Sequence, residues 1–252
     1  MRQLVVLLLG LLVLAGCATT LPVPPAAPGV PEAAWARVLA RHVDDRGQVD
    51  FAGFATDDAD LRAWVAAIAA PRRFATPADQ LAFHINAYNG LAMYVVLAQG
   101  IPERLSLAGR LHFFKLTRVV MGGAPTSLYD YENDVIRKLG EPRIHFALNC
   151  MAVSCPRLPR KPFTATGLDA ELDAAAREFF NDPRHVAVEP AARSALVSAI
   201  LDFFPEDFLA VSPSLLAYIN RYRQPPIPDD FAVRFLPYDW RINRQGRIGT
   251  GR

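Results

Sequence analysis

One histidine and two cysteines fall within eleven residues, in the stretch IHFALNCMAVSCPRLP that runs from Ile144 to Pro159. Three chemistries fit His145, Cys150 and Cys155. A cysteine attacks as its thiolate, and a neighbouring histidine or a helix N-terminus lowers its pKa into the useful range. Pro156 directly follows Cys155 and suits a first helical turn, so Cys155 is a candidate nucleophile with His145 as its base. The same two cysteines enclose four residues, a loop that a disulfide can close when the Cα atoms come within ~7 Å. His-x4-Cys-x4-Cys also supplies a three-ligand zinc set with water as the fourth ligand, although the spacing matches none of the common knuckles.

Other polar residues extend the first reading. Glu132 and Asp239 are the acids that could orient the imidazole, Glu132 being preferred. Asn86 and Asn89 sit three apart on one side of a helix, where they could position a substrate carbonyl; polar residues in an otherwise apolar helix more often fasten a neighbouring loop. Tyr238, Asp239 and Trp240 read as a lock holding the C-terminal segment to the body. His84 reads as a satisfied, half-buried histidine, and His112 and His185 as solvated ones.

The elements that must position these groups follow from periodicity and capping. TPADQLAFHINAYNGLAMYVVLAQG predicts one long helix: Thr76 caps it, Pro77 takes the first position, Asp79 completes a capping box and Gly100 ends it. It is apolar nearly all round, which places it centrally. Helices are expected at 31–42, 57–69, from the Ser127 cap to about Leu139, from a Thr166 cap onward, around 206–209, and at 213–222 after a Ser212 cap. The alternation through Ile144–Cys150 predicts a strand, with His145 and Asn149 on one face. Further strands are expected at 116–121, 186–188, 195–197 and in FAVRF. Helices outnumber strands, so the expectation is a single α+β domain over 32–252, with a small, mostly antiparallel sheet packed on helices.

The N-terminus reads as an address. Arg2, an apolar run from Leu4 to Leu14 and the sequence Leu-Ala-Gly-Cys17 describe a lipoprotein signal over 1–16. The apolar run is too short to span a bilayer, which takes ~20 residues. Cys17 is the expected lipidation site, and Ala18 after it favours the outer membrane, periplasmic side. Residues 17–31 hold five prolines and read as a semi-rigid tether reaching at most ~40 Å. The periplasm is oxidising, which gives the disulfide reading its weight. Charges are mixed along the chain, with 27 basic against 25 acidic residues, so no nucleic-acid footprint is present.

The motifs QLAFHINAYNGLAMYVVL, SLYDYENDVIRKL, RIHFALNCMAVSCPRLP and PYDWRIN stand in the order found in the domain-of-unknown-function 547 family, which this chain resembles over about 49–243. The resemblance implies a bacterial secreted or lipid-anchored protein and leaves the chemistry open. His84 stands where the family leads one to expect an aromatic residue. The resulting expectation is a lipid-anchored hydrolase or acyltransferase acting on amide or peptide bonds. Its residues would be Cys155, His145 and Glu132, with Asn86, Asn89 and Asp239 positioning an envelope peptide or protein, and no cofactor or metal. The alternative is a non-enzymatic envelope module stiffened by a Cys150–Cys155 disulfide.

Overall fold

The computed structural model describes residues 18–246. Cys17, the expected lipidation site, and the expected signal segment lie outside the described residues. The fold is α+β. A short strand β1 (Thr19–Thr20) precedes helices α1 (Pro31–His42), α2 (Ala59–Ile68) and α3 (Pro77–Ala98). Helix α4 (Leu107–Leu111) continues through a π-helical turn, His112–Leu116, into strands β2 (Thr117–Met121) and β3 (Ala124–Ser127). Helix α5 (Leu128–Asp130) winds on through Tyr131–Ile136 to a 3-10 turn. After the cysteine loop come α6 (Leu168–Asn181), β4 (Val186–Glu189), β5 (Ser194–Ser198), α7 (Ile200–Phe203), α8 (Pro205–Leu209), α9 (Leu215–Asn220) and β6 (Ala232–Leu236).

The 22-residue α3 is the axis of the larger core. Thr76 Oγ1 accepts from Asp79 N–H at 3.0 Å, while Asp79 reaches back to Ala75 N–H at 3.1 Å, closing the capping box. The helix is long and apolar enough to cross a membrane, yet 83% of its apolar window is buried inside the body, so it serves as a core helix. Trp35 of α1 and Trp64 of α2 stack at 6.0 Å beside it. A Cβ on Gly90 would lie 2.6 Å from two atoms of the Trp64 ring, so the glycine is what lets the indole approach α3. A second apolar cluster forms around Phe146, Phe180, Phe208 and Tyr218, between α6, α8, α9 and the second sheet.

The strands divide into two three-stranded mixed sheets, where the sequence suggests one mostly antiparallel sheet. In the first, β2 pairs antiparallel with β3 across the Gly122–Gly123 turn, and β1 adds in parallel. In the second, β4 and β5 form the hairpin expected from the sequence, with Val186 opposite Val197, and β6 joins β5 in parallel. Each sheet thus gains its parallel edge from a distant segment, which no local pattern encodes.

Three local expectations change. Residues 18–24 are no free spacer: β1 pairs with β2, Leu21 N–H donates to Arg118 O at 2.8 Å, and Tyr94 Oη donates to Pro22 O at 2.9 Å. Thr166 and Ser212 do not cap. Gly167 stands before α6, and Ser214 caps α9 by accepting from Ala217 N–H. His185 is buried and stacks on Phe179 at 4.0 Å, and burial pushes its imidazole down to about 4.

Candidate active site

The segment carrying His145 is a 3-10 turn over Pro142–Phe146, not the strand that its alternation suggests. Pro142 holds the first position and the Glu141 carboxylate accepts from Arg143 N–H at 3.0 Å, so local capping starts a helical turn that outweighs a period-two pattern only seven residues long. The turn buries His145 and Phe146 together. It then releases the chain into an irregular loop, and no helix follows Pro156, so Cys155 does not sit at a helix N-terminus.

The loop is fastened from below by α3. Asn89 Nδ2 donates to Ala147 O at 3.0 Å, and Asn89 Oδ1 accepts from Asn149 N–H at 2.7 Å. Asn149 spends its own side chain on the loop: Oδ1 accepts from Met151 N–H and Nδ2 donates to Pro156 O, both at 2.7 Å. The two asparagines thereby clamp both ends of the hairpin holding the cysteines, and Met151 between them takes a left-handed φ of 66°. Asn86 does the same for the next segment, accepting from Phe163 N–H at 3.1 Å and donating to Phe163 O at 2.8 Å. Asn86 and Asn89 are therefore loop fasteners, and their polar atoms are fully used on backbone groups and Trp35.

Cys150 and Cys155 are free thiols with their sulfurs 2.9 Å apart, beyond the ~2.05 Å of a disulfide bond. The Cys155 sulfur accepts from Cys150 N–H at 3.2 Å and lies 3.2 Å from Tyr238 Oη, which is 3.7 Å from the other sulfur. Burial alone would raise the Cys155 thiol. Hydrogen bonds from the Cys150 thiol, Tyr238 and the Ala152 and Cys150 backbone outweigh it and hold Cys155 below the ordinary value. Cys150 goes the other way, raised first by its hydrogen bond to Cys155 and then by burial. The hydrogen bonds thus stabilise negative charge on Cys155 in preference to Cys150.

Tyr238 arrives because the late segment runs along the loop. Val153 N–H donates to Arg241 O at 2.8 Å, and Asp239 N–H donates to Ser154 Oγ at 2.8 Å. The Asp239 carboxylate itself pairs with Arg241 at 2.5 Å and makes no hydrogen bond to His145.

His145 has a different orienting acid from the expected one. Its Nε2 lies 2.7 Å from Asp207 Oδ2, and the ring stacks on Phe204 at 4.3 Å. Nε2–H donation to Asp207 leaves Nδ1 as the proton-accepting nitrogen. Burial works to raise Asp207, but hydrogen bonds from His145 and Arg137 outweigh it and hold the carboxyl far below the usual range. Arg137 Nε makes its contact to the same oxygen at 2.7 Å. Glu132 instead accepts from Tyr88 Oη at 2.9 Å, and burial pushes its carboxyl up. No hydrogen bond joins His145 to either sulfur among the described residues.

These groups nevertheless share one space. Cys150, Cys155, His145, Glu132, Tyr88 and Tyr238 all line a cavity of about 90 Å³, walled by Phe114, Phe203, Phe204 and Trp240. It brings together a thiol shifted toward its thiolate, a carboxyl shifted toward its protonated form and a carboxylate-backed histidine in apolar surroundings, groups suited to nucleophilic attack and proton transfer. Among the described residues no cluster of three or more His, Cys, Asp or Glu side chains is arranged to hold a metal ion.

Residues 72–180 match the family model described as "Protein of unknown function, DUF547". Over that stretch, less than half of the chain, the sequence is similar to the DUF547 family. No curated protein and no solved structure matches the chain. The DUF547 match takes in Asn86, Asn89, Glu132, His145, Cys150 and Cys155, and stops short of Asp207 and Tyr238. In the sequence Tyr238 is legible only as part of the lock that holds the C-terminal segment, and Asp207 carries no local signal.

Proposed function

We propose that this protein is a lipid-anchored envelope enzyme in which Cys155 attacks an acyl carbon, making it an amidase, peptidase or acyltransferase. The observation that carries the reading is the Cys155 sulfur, whose hydrogen bonds lower its thiol, in the wall of a cavity that His145 and Glu132 also line. The address comes from Arg2, Leu4–Leu14 and the Leu-Ala-Gly-Cys17 sequence.

Cys155 Sγ forms a bond to the substrate carbonyl carbon, and the carbonyl π electrons move to oxygen. The donors that held the thiolate, Cys150 N–H and Tyr238 Oη, lose the negative sulfur at that moment and are free to hold the oxyanion. Collapse breaks the carbon–nitrogen or carbon–oxygen bond, and the leaving group takes a proton from Glu132, whose burial favours the protonated form. Water, or an acceptor nucleophile, then gives its proton to His145 Nδ1 and cleaves the thioester, returning the thiolate; transfer of that proton from His145 to Glu132 restores both groups to their starting forms. Asp207 keeps the imidazole in the tautomer this needs.

The reaction is tested by mass. Reduced full-length protein is incubated with activated esters and N-acyl peptides and quenched with acid. An acyl adduct on Cys155, absent in Cys155→Ser and accumulating in His145→Ala, is the expected result. Absence of any adduct across a panel of acyl donors overturns the reading.

The 2.9 Å separation of the sulfurs favours a second reading, an envelope module whose Cys150–Cys155 disulfide stiffens the loop. Its entropic contribution would be modest, about 2 kcal/mol for so short a loop. A redox exchange role fits less well, because the thiolate is the more buried sulfur, with Cys155 only 5% exposed, and a partner disulfide would meet Cys150 first. Thiol counting on protein drawn from the periplasm separates the two: two alkylatable thiols support the enzyme, none before reduction supports the module.

A further inference from the structure

Because β1 pairs with β2 in register Thr19 opposite Thr117, β1 begins directly beside the end of the α4 helical run, two residues after Cys17 in sequence. The prolines that could have formed a spacer come after this contact, not before it, so they add no distance between Cys17 and the body. Any anchor at Cys17 is therefore joined to the folded surface by a single residue.

What lies at that point is unusual for a surface. Leu107 and Leu111 stand 78% and 52% exposed, one helical turn apart on the same side of α4, and Lys115 continues that side by another turn. Leu111 is six residues from Thr117 along a helical run, about 9 Å by helical rise. Residues 104–129 contain Arg104, Arg110, Lys115 and Arg118 and no aspartate or glutamate. Lys115 sits 4.0 Å over the ring of Tyr129, itself 43% exposed. Exposed leucines between cations, with a tyrosine at the rim, are the chemistry of a bilayer interface carrying anionic headgroups.

We propose that the face formed by Leu107, Leu111, Lys115 and Tyr129 rests on an anionic phospholipid surface. The inference rests on the envelope-anchor reading above for its geometry, and on exposure and charge for its chemistry. It deepens the catalytic reading, because Phe114 from the same helical run and Trp240, beneath the Arg110 guanidinium at 4.7 Å, are walls of the Cys155 cavity. Docked this way, the cavity shares a wall with the membrane-facing surface, and the acyl groups nearest to it are those at the headgroup level.

The experiment places a reporter on the face. Full-length protein processed in its own envelope is reconstituted in vesicles of phosphatidylethanolamine and phosphatidylglycerol, three to one, with brominated acyl chains. Leu107→Trp is compared with Leu209→Trp, an equally replaceable exposed site on α8. The expected result is at least twofold quenching of the first and none of the second, weakened when phosphatidylglycerol is omitted. Protein that floats with the vesicles while the two reporters are quenched equally, or not at all, overturns the docking face and leaves the anchor intact. Quenching of Leu107→Trp in protein whose mass shows Cys17 unmodified keeps the docking face and removes the anchor. Unmodified protein that neither floats nor is quenched removes both.

Discussion

The hydroxyl of Tyr238 lies 3.2 Å from the sulfur of Cys155, across 83 residues of chain. Among the described residues no other phenol hydrogen-bonds to either sulfur, and His145 is committed elsewhere, to Asp207. The lowering of the Cys155 thiol thus rests on Cys150 beside it and on the contact between the cysteine loop and the late segment.

Tyr238→Phe removes that donor while keeping the ring against Trp240 at 4.4 Å. A hydrogen bond to a charged group is worth about 1.5–3 kcal/mol, so iodoacetamide alkylation of Cys155 at pH 6 should slow at least tenfold. The sign is fixed by the direction of the shift: losing a donor to the thiolate raises the thiol and moves the whole pH–rate curve upward. An unchanged curve would show that Cys150 alone holds the thiolate.

Asp207→Asn should split two readouts. Alkylation of Cys155 at pH 6 stays within twofold of the parent, since neither Asp207 nor His145 donates to the sulfur. Deacylation, which depends on His145 in the right tautomer, falls about a hundredfold or more. Equal losses in both assays would place His145 at the sulfur in solution.

Asn89→Ala leaves Ala147 O and Asn149 N–H buried without partners. Urea unfolding should show a loss of about 2–4 kcal/mol. The same variant should raise hydrogen exchange across Asn149–Pro156, because Asn89 fastens Asn149, whose side chain holds the far end of the loop at Pro156.

Gly90→Ala sets two effects against each other. Alanine gains about 1 kcal/mol in helix propensity, but its Cβ meets the Trp64 ring at 2.6 Å. Rings do not yield as flexible chain ends do, so overpacking of about 1–3 kcal/mol wins and the melting temperature drops. A rise in melting temperature would show that α2 can back away from α3.

Acid should weaken the fold before any carboxylate pair breaks. His84 and His185 are both lowered to about 4, from an unperturbed 6.5, by burial. Between those values the unfolded chain binds protons that the folded chain does not, so stability falls as pH drops from 6.5 to 4 and is unaffected by these groups above that window. His185→Phe, which keeps the stack on Phe179, should remove part of this slope when urea midpoints at pH 7 and 5 are compared.

Much of this fold is legible where the signal is local. The Thr76–Asp79 box, the Ser127 cap with Asp130 and the Val186–Val197 hairpin all rest on residues within a dozen positions of one another. The cluster of His145, Cys150 and Cys155 was visible for the same reason. What escaped is what the chain brings from afar: Asp207 is 62 residues from His145, and β1 reaches β2 across nearly a hundred. The misplaced strand at Ile144–Cys150 has a different cause. Its alternation is real, but Pro142 and Glu141 start a turn, and the long-range Asn89 contacts then decide where each side chain goes.

The two-residue ladder between β1 and β2 also gives the protein a mechanical order of events. A pull toward the N-terminus first loads Thr19, Thr20, the Leu21–Arg118 bond and the Tyr94–Pro22 bond. When these part, residues 23–30 pay out roughly 25 Å of slack before α1, the first long helix, feels any force. The segment behaves as a fuse: were the N-terminus anchored as proposed, tension would part this short ladder and leave the Cys155 cavity folded.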